Sequence, residues 1–376
     1  MRMLAAVMYQ QGLPTPYAES QPFKIEEVDL EGPVEGEVLV QVMAAGLCHS
    51  DLSQVAGQRK RRCPVVGGHE GAGIVREVGR GVTRLKVGDH VVMSGAPGCG
   101  QCGYCGDDRP NLCETVGVSR AAGALGTGNR KLSRNGEPIY HYSGISSFAE
   151  YAVLTPDTLI KVDDDIPLSV AALYGCGVVT GAGAAFNTAR VRPGQTVAVI
   201  GLGGVGLSAV MAAKIAGASE IIGIDLLDDK FPLALELGCT RTINARNPDV
   251  LQFVLDHTRG GVDYVFEVTG NKNALATAFA ITRKGGDVIC IGLGATGATA
   301  EYPHTNLVGL QKGLRGTFMG GGNAVGDIQR YARFYKEGRM PVDKLVSGTM
   351  SFDQLNANLD ALDRGAVLRQ ILLPHG

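Results

Sequence analysis

Apolar and polar residues alternate with a period of two through much of the first half of the chain, in runs such as "EVLVQVMAAG", "GAGIVREVG", "DHVVMSG" and "FAEYAVL". Glycine or proline breaks each run, so each predicts a short strand with one buried face. Up to about residue 178 the chain reads as a β-rich domain. At Gln195 the period changes. "TVAVIG" predicts a buried strand, Val205 to Ala216 a helix of small residues, and "IIGID" a second buried strand. Helices in "KFPLALELG", "DVLQFVLDHT" and "ALATAFAIT" then alternate with strands in "RTIN", "VDYVFEVTG", "DVICIG" and "LRGTFMG". Six strands joined by crossover helices make a doubly wound parallel sheet, the α/β architecture of dinucleotide-binding domains. Beyond Gly320, two amphipathic helices, "VGDIQRYARFYKEG" and "SFDQLNANLDALDRG", lead to the strand "LRQILL", assigned back to the first domain. The expected division is residues 1–178 with 321–376, and residues 179–320.

The turn after the first strand of the second domain is "GLGGVG", with Gly201, Gly203 and Gly206 in G-x-G-x-x-G spacing. A Cβ at those positions would block the tight turn and the approach of a pyrophosphate, whose charge then meets free N–H groups at a helix N-terminus. Strand, glycine turn and helix in register predict a dinucleotide site. Asp225, closing the second strand, stands where a carboxylate accepts both adenosine ribose hydroxyls and repels a 2′-phosphate. NAD is expected over NADP.

"GCGQCGYCGDDRPNLC" places Cys99, Cys102, Cys105 and Cys113 on one short loop. Four thiolates suit a tetrahedral Zn²⁺ in a closed shell, which leaves no place for substrate. The opening also resembles an iron–sulfur run, but the Cys-Pro ending of that run is missing. A structural zinc clip is expected, holding a polar loop with little apolar material of its own. The nine cysteines are an odd count without a secretion signal, which favours reduced thiols and metal ligands over a disulfide framework. A formal net charge of −2 supplies no broad cationic field for nucleic acid or an anionic membrane. "MRMLAAVMYQQG" is too short in apolar length for a signal peptide and no later segment has the length of a membrane span, so a cytoplasmic protein is expected.

Taken in order, "GLCHSDL", "GGHEGAG", the cysteine loop, "YGCGVVTGAGAA" and "GLGGVG" resemble the zinc-containing medium-chain alcohol dehydrogenases over nearly the whole chain. "RAAGALGTGNRKLSRNGEPIYHYSGISSFAEY" resembles the longer-loop, dimer-forming members. The resemblance implies a GroES-like catalytic domain with a Rossmann domain, two zinc ions per subunit, NAD, a small alcohol or aldehyde substrate, and a homodimer joined through the last strands of the nucleotide domain. It implies that Cys48, His69 and Cys176 hold the catalytic zinc. Two thiolates and an imidazole leave one open position, and zinc lowers the pKa of a bound hydroxyl by about eight units for water in the best-studied case.

By the same resemblance Asp51 orients the ligand imidazole, Glu70 approaches the metal during ligand exchange, and Ser50 takes the alcohol proton. Thr180 and Val205 press the nicotinamide towards the alcohol, Gly204 belongs to the cofactor turn, and His49, Lys230 and Arg369 contact cofactor phosphate or ribose. Several family members finish the proton relay with a histidine where this chain has Ser53, so the final acceptor is expected to be solvent or buffer. The cleft between the domains is expected to close on NAD⁺ and exclude water.

Tyr142 and Leu293 are assigned to the substrate pocket, with Gly95 where some members carry a bulky aromatic. The missing side chain is expected to open volume and favour long, branched or aromatic alcohols over ethanol. The run Arg59, Lys60, Arg61 and Arg62 borders the channel by the resemblance. A solvated basic face is the plain reading; a substrate with an anionic far end drawn by Arg59 or a neighbour is the sharper one. Two other functions fit parts of the pattern. One is a formaldehyde dehydrogenase acting on a glutathione or mycothiol adduct. The other is a non-catalytic, zinc-stabilised nucleotide sensor, against which the complete set Cys48, His69, Cys176 and Ser50 argues.

Overall fold

The computed structural model describes all 376 residues, in two compact units. One contains Met1–Cys176, Asn323–Glu337 and Val342–Gly376; the other contains Gly177–Gly322 and Gly338–Pro341.

In the first unit the strands Arg2–Met8, Phe23–Leu30, Leu132–Arg134, Glu137–His141 and Val65–Val66 close into a barrel. A seven-stranded sheet accompanies it, built on the strand Val38–Leu47. That strand pairs antiparallel with Gly71–Val78 and, near its end, with the C-terminal strand Arg369–Leu372, where Ile371 lies opposite Gly46. The return of "LRQILL" to the first domain is therefore as the sequence predicts. Val38, Val40 and Val42 point inward with Val75, Val91, Met93, Leu154 and Leu372, the period of two read from the sequence. This core fixes the ends of three strands that carry the site: Val38–Leu47 runs into Cys48, Gly71–Val78 follows His69 and Glu70, and His90–Met93 runs up to Gly95.

The β-rich reading up to residue 178 is corrected in its last turns, because the chain becomes helical at Leu168–Ala171 and continues as a 3₁₀ turn over Ala172–Gly175. Small apolar residues fill this stretch without alternation. A segment buried on all sides shows no period from which to assign it.

In the second unit six parallel strands take the order Arg241–Asn244, Glu220–Asp225, Thr196–Ile200, Val262–Glu267, Thr282–Cys290, Gly313–Gly316. Val197, Ala198, Val199, Ile222, Ile224, Val265, Phe266, Val288 and Ile289 are buried, as strands covered by helices on both faces require. Strand order reverses beside Thr196–Ile200, which puts the glycine turn at the topological switch point. No single helix is long and apolar enough to cross a membrane.

His141 gives this fold a pH signature. It is buried in the barrel, with Nε2 accepting from the Lys131 N–H at 3.1 Å. Burial pushes it down to about 4 from the ordinary 6.5, with Glu37 pulling the other way. The native state therefore holds neutral imidazole, and below pH 6.5 the unfolded chain takes up the proton first. The stability this supplies, on the order of 3 kcal/mol, is complete above pH 6.5 and lost as pH falls towards 4. In urea titrations across that window, His141→Gln is expected to flatten the fall in midpoint seen for the wild type.

Candidate active site

Cys48 caps the helix His49–Val55 directly after the strand Val38–Leu47. Asp51, in the first turn, accepts from the Cys48 N–H at 3.0 Å, one half of a capping box. Its other oxygen meets His69 Nδ1 at 2.9 Å. A single buried carboxylate thus ties the helix start to the imidazole. Cys176 arrives from the bend between Ala172–Gly175 and the helix Gly177–Gly183. One donor atom from each of Cys48, His69, Glu70 and Cys176 falls within 4.8 Å of the others.

With Nδ1 engaged by Asp51, Nε2 is the free nitrogen of His69, and it is buried with no hydrogen-bond partner. Buried polar atoms are seldom left in that state. Two thiols and an orphaned imidazole nitrogen are the donor set of a catalytic zinc site, with the carboxylate–histidine support such sites use. The surroundings favour positive charge at this point. Burial opposes an imidazolium at His69, yet Asp51, the Tyr142 phenol and Cys176 together hold its pKa well above the ordinary value. The hydrogen bond from Cys176 pulls the Cys48 thiol well below its usual range, against the effect of burial and with help from Arg369.

Glu70 is wholly buried, with one oxygen 3.2 Å from Arg369 Nη1 and the other without a partner. Burial pushes this carboxyl up to about 8, more than Arg369 pulls it down. A bound dication would reverse that balance. Gly46 is required here, since a Cβ would come within 2.5 Å of the Glu70 carboxylate. The structure thus sets Arg369, expected on cofactor phosphate or ribose, in a buried ion pair with Glu70. Tyr142 stands edge-on to His69, ring centroids 5.3 Å apart, with its hydroxyl 3.5 Å from the Ser50 carbonyl oxygen. Ser50 and Ser53 are half-buried on the same helix and His49 is exposed.

The loop cluster is equally well formed. The sulfurs of Cys99 and Cys105 are 4.0 Å apart, those of Cys102 and Cys105 3.5 Å, and those of Cys102 and Cys113 3.8 Å. Zinc–sulfur bonds of about 2.3 Å in a tetrahedron separate sulfurs by about 3.8 Å. All nine cysteines are free thiols. The N–H groups of Gln101 and Cys102 donate to Cys99 Sγ at 3.4 and 3.3 Å. Such donors, led by Gln101 and joined by the Thr115 hydroxyl, draw the Cys99 thiol down to about 6.

In the second unit Gly203 precedes the helix Gly204–Ile215, and nothing lies within 4 Å of where its Cβ would be. The space over the helix N-terminus is therefore open to a phosphate. At Gly206 a Cβ would fall 1.9 Å from the Gly201 carbonyl oxygen, so helix and strand pack only through glycine. Asp225 accepts from the Leu202 N–H at 2.7 Å and pairs with Lys230 at 3.1 Å, which puts two of the predicted cofactor residues together. Thr180 and Val205 are half-buried, and the Thr180 hydroxyl faces Met319 Sδ at 3.7 Å. Leu293, assigned to the substrate pocket, is 58% exposed on this unit.

The chain matches the zinc-binding dehydrogenase family over residues 204–337 and the alcohol dehydrogenase GroES-like domain over residues 34–164. An S-(hydroxymethyl)glutathione dehydrogenase of Paracoccus denitrificans is 37% identical over 99% of this chain and 100% of its own length. The chain belongs to the zinc-containing medium-chain alcohol dehydrogenase family. A class-3 alcohol dehydrogenase of Drosophila melanogaster is 37% identical over 94% of both chains. The benzyl alcohol dehydrogenase structure from Acinetobacter calcoaceticus superposes with a TM-score of 0.92, at 33% identity and 99% coverage of both chains. The chain is a zinc-dependent dehydrogenase, and the reading as a silent nucleotide sensor falls.

Gly95 has a neighbour in this dehydrogenase that the sequence did not show. A Cβ there would stand 2.6 Å from Arg120 Nη2, the tip of a flexible side chain, and 3.6 Å from Ile145 Cδ1. Sequence reasoning missed Arg120. The only available signal was a basic residue opening the longer loop, and the fold alone brings it back to Gly95.

Proposed function

We propose that this enzyme transfers hydride reversibly between an alcohol with a bulky, branched or aromatic carbon skeleton and NAD, forming an aldehyde or ketone. The observation that carries the reading is the orphaned Nε2 of His69, held by Asp51 beside Cys48 and Cys176. Zinc held by Cys48, His69 and Cys176 would supply a Lewis acid to the alcohol hydroxyl, and a bound nicotinamide would supply the hydride acceptor.

The chain's own residues do the rest. Asp51 keeps His69 in one tautomer and prevents it from tilting. Ser50 Oγ receives the hydroxyl proton. Ser53 passes it onward without storing it, so solvent or buffer is the terminal acceptor. Glu70, held by Arg369, stands by for ligand exchange. Gly201, Gly203, Gly204 and Gly206 seat the pyrophosphate, Asp225 and Lys230 the adenosine ribose, and Thr180 and Val205 the nicotinamide, while His49 and Arg369 meet cofactor phosphate or ribose. The family's longer-loop members suggest a homodimer.

A panel of alcohols with NAD⁺ and NADP⁺ in parallel, read by NADH absorbance, tests this. Benzylic alcohols are expected to exceed ethanol in kcat/KM, because a small substrate leaves apolar wall uncovered; equal values would count against the substrate class. Asp225→Ser is expected to cost about a hundredfold with NAD⁺ and to narrow the gap to NADP⁺, since the ribose hydroxyls lose their acceptor. Ser53→His should make turnover less dependent on buffer concentration. An unchanged buffer response would remove Ser53 from the relay.

The Paracoccus relative supports a second reading, oxidation of the formaldehyde–glutathione adduct. Formaldehyde supplied with glutathione or mycothiol separates the two: NADH formation from either mixture, with none from simple alcohols, would favour it.

A further inference from the structure

We propose that Glu267 is a positioning residue for the bound dinucleotide: its buried carboxylate shapes two loops, 268–271 and 291–294, into the seat of the nicotinamide half. The inference rests on the dinucleotide reading above and adds a residue that this reading does not use.

Glu267 closes the strand Val262–Glu267, level with Ile200 on one side and Cys290 on the other. It is 2% exposed, and none of its partners is a cation. Its Oε1 accepts from the Thr269 N–H at 2.7 Å, from the Thr269 hydroxyl and from the Gly270 N–H at 3.0 Å, and the same Gly270 N–H lies 3.2 Å from Oε2. The Asn271 N–H adds to this set. Burial raises the pKa of the carboxyl, and these donors pull the other way. An apolar side chain would pack there at lower cost but could not gather the N–H groups of three successive residues. The backbone carbonyl of Glu267 in turn accepts from the Ile291 and Gly292 N–H groups, at 2.8 and 3.1 Å. One residue therefore organises both loops, the first through its side chain and the second through its main chain.

The loops interlock through glycine. A Cβ on Gly292 would stand 2.0 Å from the Gly270 nitrogen, and a Cβ on Gly270, whose φ is +71°, would stand 2.8 Å from both the Leu293 carbonyl carbon and the Gly294 nitrogen. The first loop also rests on the cofactor turn, since a Cβ on Gly201 would come within 2.9 Å of Thr269 Cγ2. A shift of either loop is transmitted to its neighbour and to the turn, because packed backbone has no slack to absorb it.

Strand order decides which half of the dinucleotide the loops face. Asp225, assigned to the adenosine ribose, ends the strand on one side of Thr196–Ile200. Glu267 ends the strand on the other side, and Cys290 the strand beyond it. A dinucleotide lies across the strand ends where the order reverses. With adenosine on the Asp225 side and pyrophosphate over the glycine turn, the nicotinamide half belongs to the Glu267 side.

Titration of the zinc-loaded wild type, Glu267→Ala and Glu267→Gln with NADH, followed by nicotinamide fluorescence, and with 5′-AMP, followed by calorimetry, tests this. Glu267→Ala is expected to weaken NADH by about 10- to 100-fold, while 5′-AMP, which carries only the adenosine half, stays within about twofold. Glu267→Gln keeps one acceptor oxygen for Thr269 but turns an NH₂ towards the Gly270 N–H, so its NADH affinity should fall between the two. KM for NAD⁺ in alcohol oxidation should rise in the same order.

Equal NADH affinity in all three proteins would overturn the inference. So would a parallel loss of NADH and 5′-AMP, which would mark general damage to the unit rather than a misplaced nicotinamide seat. Glu267→Gln, of the same shape as the wild-type side chain, decides the matter by itself if Glu267→Ala does not fold. A wild type that binds no NADH would bring down the dinucleotide reading and this inference with it, whereas NADH bound equally by wild type and variants overturns the inference alone.

Discussion

His69→Ala is expected to lower kcat/KM by about a thousandfold or more, because losing the Lewis acid removes several kcal/mol of transition-state stabilisation and each 1.36 kcal/mol is tenfold. Metal analysis of the same variant should show the loop cysteines still loaded and the second zinc lost. Asp51→Asn is the finer probe. It keeps an oxygen for the Cys48 N–H but removes the charge facing His69 Nδ1, 2.9 Å away. A loss of about 10- to 100-fold in metal affinity or rate is expected, the usual effect of losing a carboxylate behind a ligand histidine. A His69→Ala enzyme with full zinc and full rate would dismantle the catalytic reading.

The largest effect on folding is expected at the loop. Neither Gly103–Gly106 nor Pro110–Leu112 nor Glu114–Ala122 contains a buried residue, and Cys113 is buried next to them. Without an apolar core of its own, the loop depends on its metal for order. Cys102→Ser should lower Tm by about 10 °C, as a loss of a few kcal/mol does in a unit of this size, and open the loop to proteolysis. Calorimetry and limited digestion check both. A variant that is as stable and as protease-resistant as the wild type would show that the loop holds itself.

The alternation of Val38, Val40 and Val42, the unbroken apolar strand Thr196–Ile200 and the spacing of Gly201, Gly203 and Gly206 are local patterns, and local patterns survive in one dimension. The cysteine loop was legible for the same reason: its four ligands come from a span of fifteen residues. The other ligand set was harder to read. Cys48, His69 and Cys176 are far apart in the chain, and only the resemblance of five ordered motifs assembled them. Taken singly, each looks like an ordinary buried residue.

The sequence by itself determined the two architectures, the glycine turn, the acidic strand end at Asp225 and the residues able to hold zinc. Tertiary structure alone decided that Asp51 both caps a helix and steadies His69, that Arg369 rests on Glu70, and that the tip of Arg120 comes back beside Gly95. The physical reason is range. Periodicity, turns and short ligand spacings are set by neighbours along the chain, whereas the partner of a buried charge is chosen by whichever distant segment the packed core brings within hydrogen-bond reach.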